Sequence, residues 1–117
     1  MFEDERSDTY LKKLVLTEKL PSKVIMTDDN QHARMIVAHH LEYDSLLFEQ
    51  GDVFVSSGSY KDIPVAVVST GKGSDKIAAC LSEIIDLGAT EVFYLKAHGS
   101  KNEFHLASQR AFEALCS

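Results

Sequence analysis

The chain has 117 residues and a net charge of −6, from 18 acidic and 12 basic side chains, with an apolar fraction of 44% and a charged fraction of 26%. That length suits a single domain over 1–117, able to bury roughly 65% of the surface its unfolded chain exposes. The acidic balance and the lack of any basic run read against a nucleic-acid partner or an anionic membrane surface, because phosphate groups attract clustered Lys and Arg.

Met1 to Tyr10 is acidic and has no apolar core, unlike a signal peptide. Ser7 or Asp8 offers a cap for a short helix through Leu16, with Leu11, Leu14 and Val15 on one side and Pro21 as its stop. Lys23–Thr27 reads as a strand whose continuous run Val24-Ile25-Met26 suits burial on both faces. Asp28, Asp29 and Asn30 form a polar corner and an N-cap for a helix over Gln31–Leu41. Its apolar stripe is read as Met35, Ala38 and His39, with Ile36 and His40 beside it. Val53–Ser59 and Ile63–Ser69 bracket the turn signal Tyr60-Lys61-Asp62 and predict a hairpin. Ser74 or Asp75 caps the next helix, whose buried face is Ile77, Leu81, Ile84 and Ile85, and Gly88 closes it. Glu91–Ala97 is another strand, which makes Pro64–Ala97 a strand–helix–strand unit of the length of a right-handed parallel crossover. Phe104–Leu115 closes the chain as a helix, with Ala107, Ala111 and Leu115 at i+4 spacing. No apolar run approaches the ~20 residues of a membrane span.

Thr70-Gly71-Lys72-Gly73-Ser74 lies between a strand and a helix, where backbone amides meet anions or polar ligands. A dinucleotide fingerprint needs a third glycine where Lys76 stands, and the P-loop spacing is absent. On its own, such a turn is more often a tight corner than a binding loop. Cys80 and Cys116 give neither a disulfide framework nor metal spacing, and read as reduced thiols of a cytoplasmic protein. Five histidines (His32, His39, His40, His98, His105) lack a carboxylate or cysteine at ligand spacing, so no metal and no cofactor is expected. His39 is read as half-buried, and Tyr60, Phe93 and Tyr94 as core or strand-pair residues.

Four stretches carry a resemblance: Val24-Ile25-Met26 with its polar corner, Ser57 to Val65, Ser69 to Ser74, and Leu87-Gly88-Ala89-Thr90-Glu91-Val92. The pattern G-x-Y-x-x-x-P-V feeding S-T-G-x-G is distinctive, and from about Lys23 to Gly99 the chain resembles the nucleoside phosphorylases. The resemblance implies an α/β fold, a three-layer α/β/α sandwich around a mixed sheet that curls toward a barrel. It further implies a pocket at strand ends for nucleoside and phosphate, and assembly into dimers or higher oligomers.

The departures bear on chemistry. Where the family has a Gly-Asp-Pro loop and then an arginine on phosphate, this chain has Asp28, Asp29, Asn30 and His32. Where the family has a second phosphate arginine, a glycine and a hydroxyl residue, it has Tyr94, Lys96 and Ala97. Lys72 replaces the apolar residue on the ribose side of the Gly-rich turn, and the stretch from Gln109 to Ser117 does not match the family. Charge-assisted hydrogen bonds contribute roughly 1.5–3 kcal/mol each, so these losses remove about 4–8 kcal/mol of phosphate binding even with imperfect additivity. Asp28, His32, Thr70, Gly71, Lys72, Gly73, Tyr94, Lys96 and Ala97 are the ligand-binding candidates by family position, with Tyr94 filling the phosphate arginine's space.

Alternatives stay open at several of these positions. Lys72 and Lys96, with His32 and His98, form either a rebuilt anion site or a solvated rim, the commoner case for Lys. Asp28 and Asp29 are either an acid/base pair or, more cheaply, a cap with an acidic neighbour. The whole chain reads as a phosphorylase-like protein without normal phosphorolytic activity, a nucleoside- or nucleobase-binding or oligomer-forming subunit, self-associated or paired with a full-length relative. The competing readings are an active phosphorylase or nucleosidase with a rebuilt anion site, and a fragment whose missing half supplies the function.

Overall fold

The computed structural model describes residues 20–96 and 100–117. The predicted helix ahead of Pro21, and the positions Ala97, His98 and Gly99, lie outside the described residues. Five strands and three helices follow in chain order: β1 (Lys23–Thr27), α1 (Asn30–His40), β2 (Glu42–Gln50), β3 (Val53–Tyr60), β4 (Ile63–Thr70), α2 (Ser74–Asp86), β5 (Glu91–Tyr94) and α3 (Lys101–Leu115).

The strands form one mixed sheet in the order β2-β3-β4-β1-β5. β1 runs parallel to both β4 and β5, whereas β2, β3 and β4 are antiparallel neighbours. The predicted crossover is present, but β4 and β5 are not adjacent: α2 carries the chain past β1 to its far side. The central strands are apolar on both faces, as burial on both sides requires. Ile25, Val65 and Val67 face one way, into a cluster with Ala33, Ile36 and Val37 of α1 and Phe104, Ala111, Phe112 and Leu115 of α3. Val24, Met26, Ala66 and Val68 face the other way, against Cys80 and Ile84 of α2. Helices on both faces of the sheet give three layers.

The hairpin turn follows from local backbone chemistry. Lys61 and Asp62 both take positive φ, 49° and 69°, the pair of conformations that suits the right-handed twist of two-residue hairpins. Tyr60 pairs with Ile63 across the turn, and its ring stacks on Phe112 at 4.8 Å. Two positions before it, Gly58 is required by a close approach: a Cβ there would stand 3.0 Å from the Glu42 carbonyl oxygen and 3.2 Å from Asp44 Cα. α2 ends as expected, with Gly88 N–H bonding the Ile85 carbonyl and Ala89 N–H bonding that of Ile84, a Schellman closure.

Several expectations need correction. β2 was not anticipated. It is an edge strand, with Tyr43 87% and Leu46 54% exposed, and its pairing with β3 is broken by register shifts. The buried stripe of α1 is Ala33, Ile36 and Val37, while Ala38 and His39 are exposed. On α2, Cys80, Glu83 and Ile84 are buried, whereas Ile85 is exposed. β5 ends at Tyr94, and because it is the outer strand, Phe93 and Tyr94 each keep 38% of their surface in water rather than entering the core. Among the described residues, no helix is long and apolar enough to cross a membrane.

Candidate functional site at the strand ends

β4, β1 and β5 end at one level. Thr27 pairs with Ser69 and Met26 with Tyr94, so Asp28 and Leu95 each stand one step beyond a paired residue, close to Thr70, the last residue of β4. The crevice outside the carboxyl ends of such strands is where open α/β sheets bind ligands.

The first corner, between β1 and α1, is held by side chains. Asp29 takes extended backbone and its carboxylate accepts the Gln31 N–H at 2.7 Å, the N-cap read from the sequence. Asn30 donates to Glu49 Oε2 at 2.9 Å and to the Gly51 carbonyl at 3.1 Å. Arg34 donates from Nε to Asn30 Oδ1 at 2.8 Å and from its other arm to the same Glu49 carboxylate. It also lies over the Phe54 ring, 5.4 Å from the centroid. The hydrogen bonds from Asn30, then Arg34, hold the Glu49 carboxyl below its usual range. This latch ties the start of α1 to the turn between β2 and β3. His32 turns to α3: its ring packs on Phe104 at 4.8 Å, and Nδ1 is 3.7 Å from Asp29 Oδ2.

The second corner, between β4 and α2, is built from backbone. Gly71 and Gly73 take φ of 84° and 117°, a region that L side chains enter at a cost. Gly73, not Ser74 or Asp75, is the N-cap of α2, and no side chain caps it. The predicted cap moves because the positive φ of Gly73 starts the helix at Ser74 itself. The N-cap itself therefore offers the first amides of α2 no side chain. Thr70 is buried and its hydroxyl donates to the Gly71 carbonyl at 2.7 Å. A methyl group on Gly71 would lie 3.4 Å from both Asp52 Cβ and Lys76 Cδ, so a carboxylate-bearing and an ammonium-bearing chain both close over this turn. Ser69 anchors the Asp52 backbone by donating to its carbonyl.

At the end of β5, burial and the charge of Asp28 push the Tyr94 hydroxyl above its usual pKa. Lys72 and Lys96 are exposed. Of the residues singled out from the sequence, Asp28 follows β1 next to Thr70 at the end of β4, and its charge reaches the Tyr94 hydroxyl. The structure sends His32 to the α3 side. Sequence reasoning missed Arg34, Glu49, Asp52 and Lys76. The i,i+4 spacing of Asn30 and Arg34 was the one available signal, since Glu49 and Asp52 belong to a strand and turn that the pattern did not reveal. Among the described residues, no group of three or more His, Cys, Asp or Glu side chains is arranged to hold a metal ion.

No family model matches this sequence, and no curated protein matches it. Solved structures do. Uridine phosphorylase from Vibrio fischeri superposes with a TM-score of 0.64 at 26% identity, over 69% of this chain and 34% of that one. The same enzyme complexed with 6-hydroxy-1-naphthoic acid gives 0.66 at 22% identity, over 78% and 40%. Purine nucleoside phosphorylase from Toxoplasma gondii, in complex with immucillin-H, gives 0.64 at 21%, over 70% and 33%. The chain carries part of a nucleoside-phosphorylase-like fold. It spans about a third of the length of the phosphorylases it matches. The α/β phosphorylase-like sheet thus agrees with the resemblance carried by the hairpin and the Gly-rich turn.

Proposed function

We propose that this phosphorylase-like chain binds a nucleoside or nucleobase at the ends of β4, β1 and β5 and does not carry out phosphorolysis. One observation carries the reading: the first corner has spent its cation. Arg34 is held by Glu49 and Asn30, while Asp28 and Asp29 lead into α1 and Tyr94 stands by Asp28. A phosphate dianion would meet carboxylates there. A neutral ligand with hydroxyls and ring nitrogens would meet acceptors at Asp28, a phenol at Tyr94 and the first amides of α2 at the second corner. Asp28, His32, Thr70, Gly71, Lys72, Gly73, Tyr94, Lys96 and Ala97 remain the family-equivalent positions for such a ligand. Lys72 and Lys96, both exposed, fit a solvated rim better than a rebuilt anion site.

The test is thermal unfolding of the full chain with uridine, inosine and their bases, beside an assay for base release. A nucleoside at 100 times its dissociation constant stabilises the fold by about 2.7 kcal/mol. The reading expects such a shift with at least one of them and no base release with or without phosphate. Phosphate-dependent release would restore the enzyme reading and point to Lys72, Lys76 and Lys96 as the anion's partners.

Association with a second copy or with a longer relative accompanies this proposal. β2 and β5 are the sheet's two edges, and they expose Tyr43, Leu46, Phe93 and Tyr94. Uncovered strand edges with apolar side chains invite pairing. Light scattering on the purified chain decides it: a dimer or larger species agrees, and a monomer at all concentrations refutes it.

A further inference from the structure

Four of the chain's five histidines lie on the two helices that share one face of the sheet. Their rings form a continuous seam between α1 and α3. His32 packs on Phe104 at 4.8 Å, His39 on His105 at 4.0 Å, and His40 on Phe112 at 5.3 Å. The seam is closed lengthwise by His39 against His40 and by Phe104 against His105, each 6.5 Å apart. At its far end, Phe112 stacks on Tyr60 of β3, whose other neighbour is the Lys61 ammonium 5.4 Å from the ring centroid.

The polar atoms of this seam are oddly served. His32 Nδ1, His40 Nε2 and His105 Nδ1 are buried and have no hydrogen-bond partner. Only His39 directs a ring nitrogen to a backbone group, the Met35 carbonyl at 3.0 Å. Neutral imidazoles can be packed this way as aromatic rings, but imidazolium rings need both N–H groups satisfied. The charges that face them are mostly of the wrong sign. From α1 come the other imidazoles, with Asp29 near His32 alone. From α3 comes Lys101, beside His105; Lys61 of the β3–β4 turn lies over Tyr60. Glu103 is engaged in the capping box at the start of α3, and Gln109, Arg110 and Glu113 are exposed.

We propose that this imidazole seam is a pH-sensitive clasp, which holds α3 on α1 while His40 and His105 are neutral and releases it when they are protonated. Burial, then His39 and His105, lower the affinity of His40 for a proton; burial, then His39 and Lys101, lower that of His105. The sign follows. Both groups bind protons more tightly when α3 is undocked, so docking is fully favoured above the ordinary histidine value of 6.5 and is lost as pH falls below it. Each imidazole that stays neutral only in the docked state adds up to roughly a tenfold change in the docking equilibrium per pH unit. Because His32 also contacts Asp29 at the first corner, release of α3 uncovers that flank of the strand-end crevice. The clasp operates whether or not the crevice holds a nucleoside.

Hydrogen exchange on the full chain at pH 7.0 and pH 5.5, corrected for intrinsic rates, tests it. The α3 amides from Phe104 to Phe112 should exchange at least about tenfold faster at pH 5.5, while Val65–Val68 in β4 keep their protection. Unchanged α3 protection, or equal loosening of α3 and β4, overturns the clasp. His105→Lys, which places a permanent charge in the seam, should show the pH 5.5 behaviour of α3 already at pH 7.0. His105→Gln should flatten the pH dependence. Full α3 protection in His105→Lys, or an undiminished pH dependence in His105→Gln, would contradict it.

Discussion

The two strand-to-helix corners at the ends of β1 and β4 are neighbours, yet they satisfy their polar groups differently. At the first, Asp29 caps α1 with its side chain, and Asn30, Arg34 and Glu49 close a network across to the β2–β3 turn. At the second, Gly73 starts α2 with no side-chain cap. A corner that consumes its own donors has little left for a ligand. One that leaves them open keeps that capacity. In the proposed function, this contrast is what keeps a place for a nucleoside while giving up the grip on phosphate.

Rebuilding the first corner should give the largest effect. The triple change Asp28→Gly, His32→Arg and Tyr94→Arg removes a carboxylate from the first corner and adds one guanidinium group on α1 and one at the neighbouring end of β5. Two charge-assisted bonds at roughly 1.5–3 kcal/mol each should raise phosphate affinity at least ~100-fold, measured by calorimetric titration. An unchanged affinity would mean that the loss of phosphate binding lies elsewhere than at this corner.

How far this contrast was legible in the sequence depends on the range of the interaction. Asp29 as a cap, the Lys61–Asp62 turn and the Gly88 closure were all readable, because each is decided by residues within a few positions. Glu42–Gln50 was not. Its segment lacks clean alternation, and β2 is held by pairing with β3 while only Leu47 and Phe48 are partly buried. With β2 unseen, the Glu49 latch, 15 residues from Arg34 and 19 from Asn30, was out of reach. The same holds for the histidine seam, since i,i+1 positions such as His39 and His40 reveal nothing about the helix that will cross them. For Phe93 and Tyr94 the strand-pair alternative holds, opposite Ile25 and Met26, and the core alternative fails because the sheet ends beside them.

Smaller effects sharpen the comparison. Asp29→Ala should cost about 1 kcal/mol, the usual price of a lost N-cap, read from the denaturation midpoint. Glu49→Gln should flatten the acid limb of stability. In the native chain Glu49 loses its proton more readily when folded, so its contribution is present above the ordinary value of 4.5 and fades as pH falls through the lowered folded value. The glutamine variant should therefore show a shallower decline below pH 4.5 in acid unfolding. Ser74→Ala should change stability by less than ~0.5 kcal/mol, as Ser74 caps nothing and Ala is the better helix former. A loss as large as that of Asp29→Ala would erase the distinction between the two corners.

The most direct test is a calorimetric titration of the full chain with a nucleoside, uridine and inosine in turn, in phosphate-free buffer and again with phosphate present. The account predicts that at least one nucleoside binds with an affinity that phosphate leaves unchanged, and that phosphate alone gives no binding heat. Phosphate binding on its own, an affinity that depends on phosphate, or no nucleoside binding at all would contradict it.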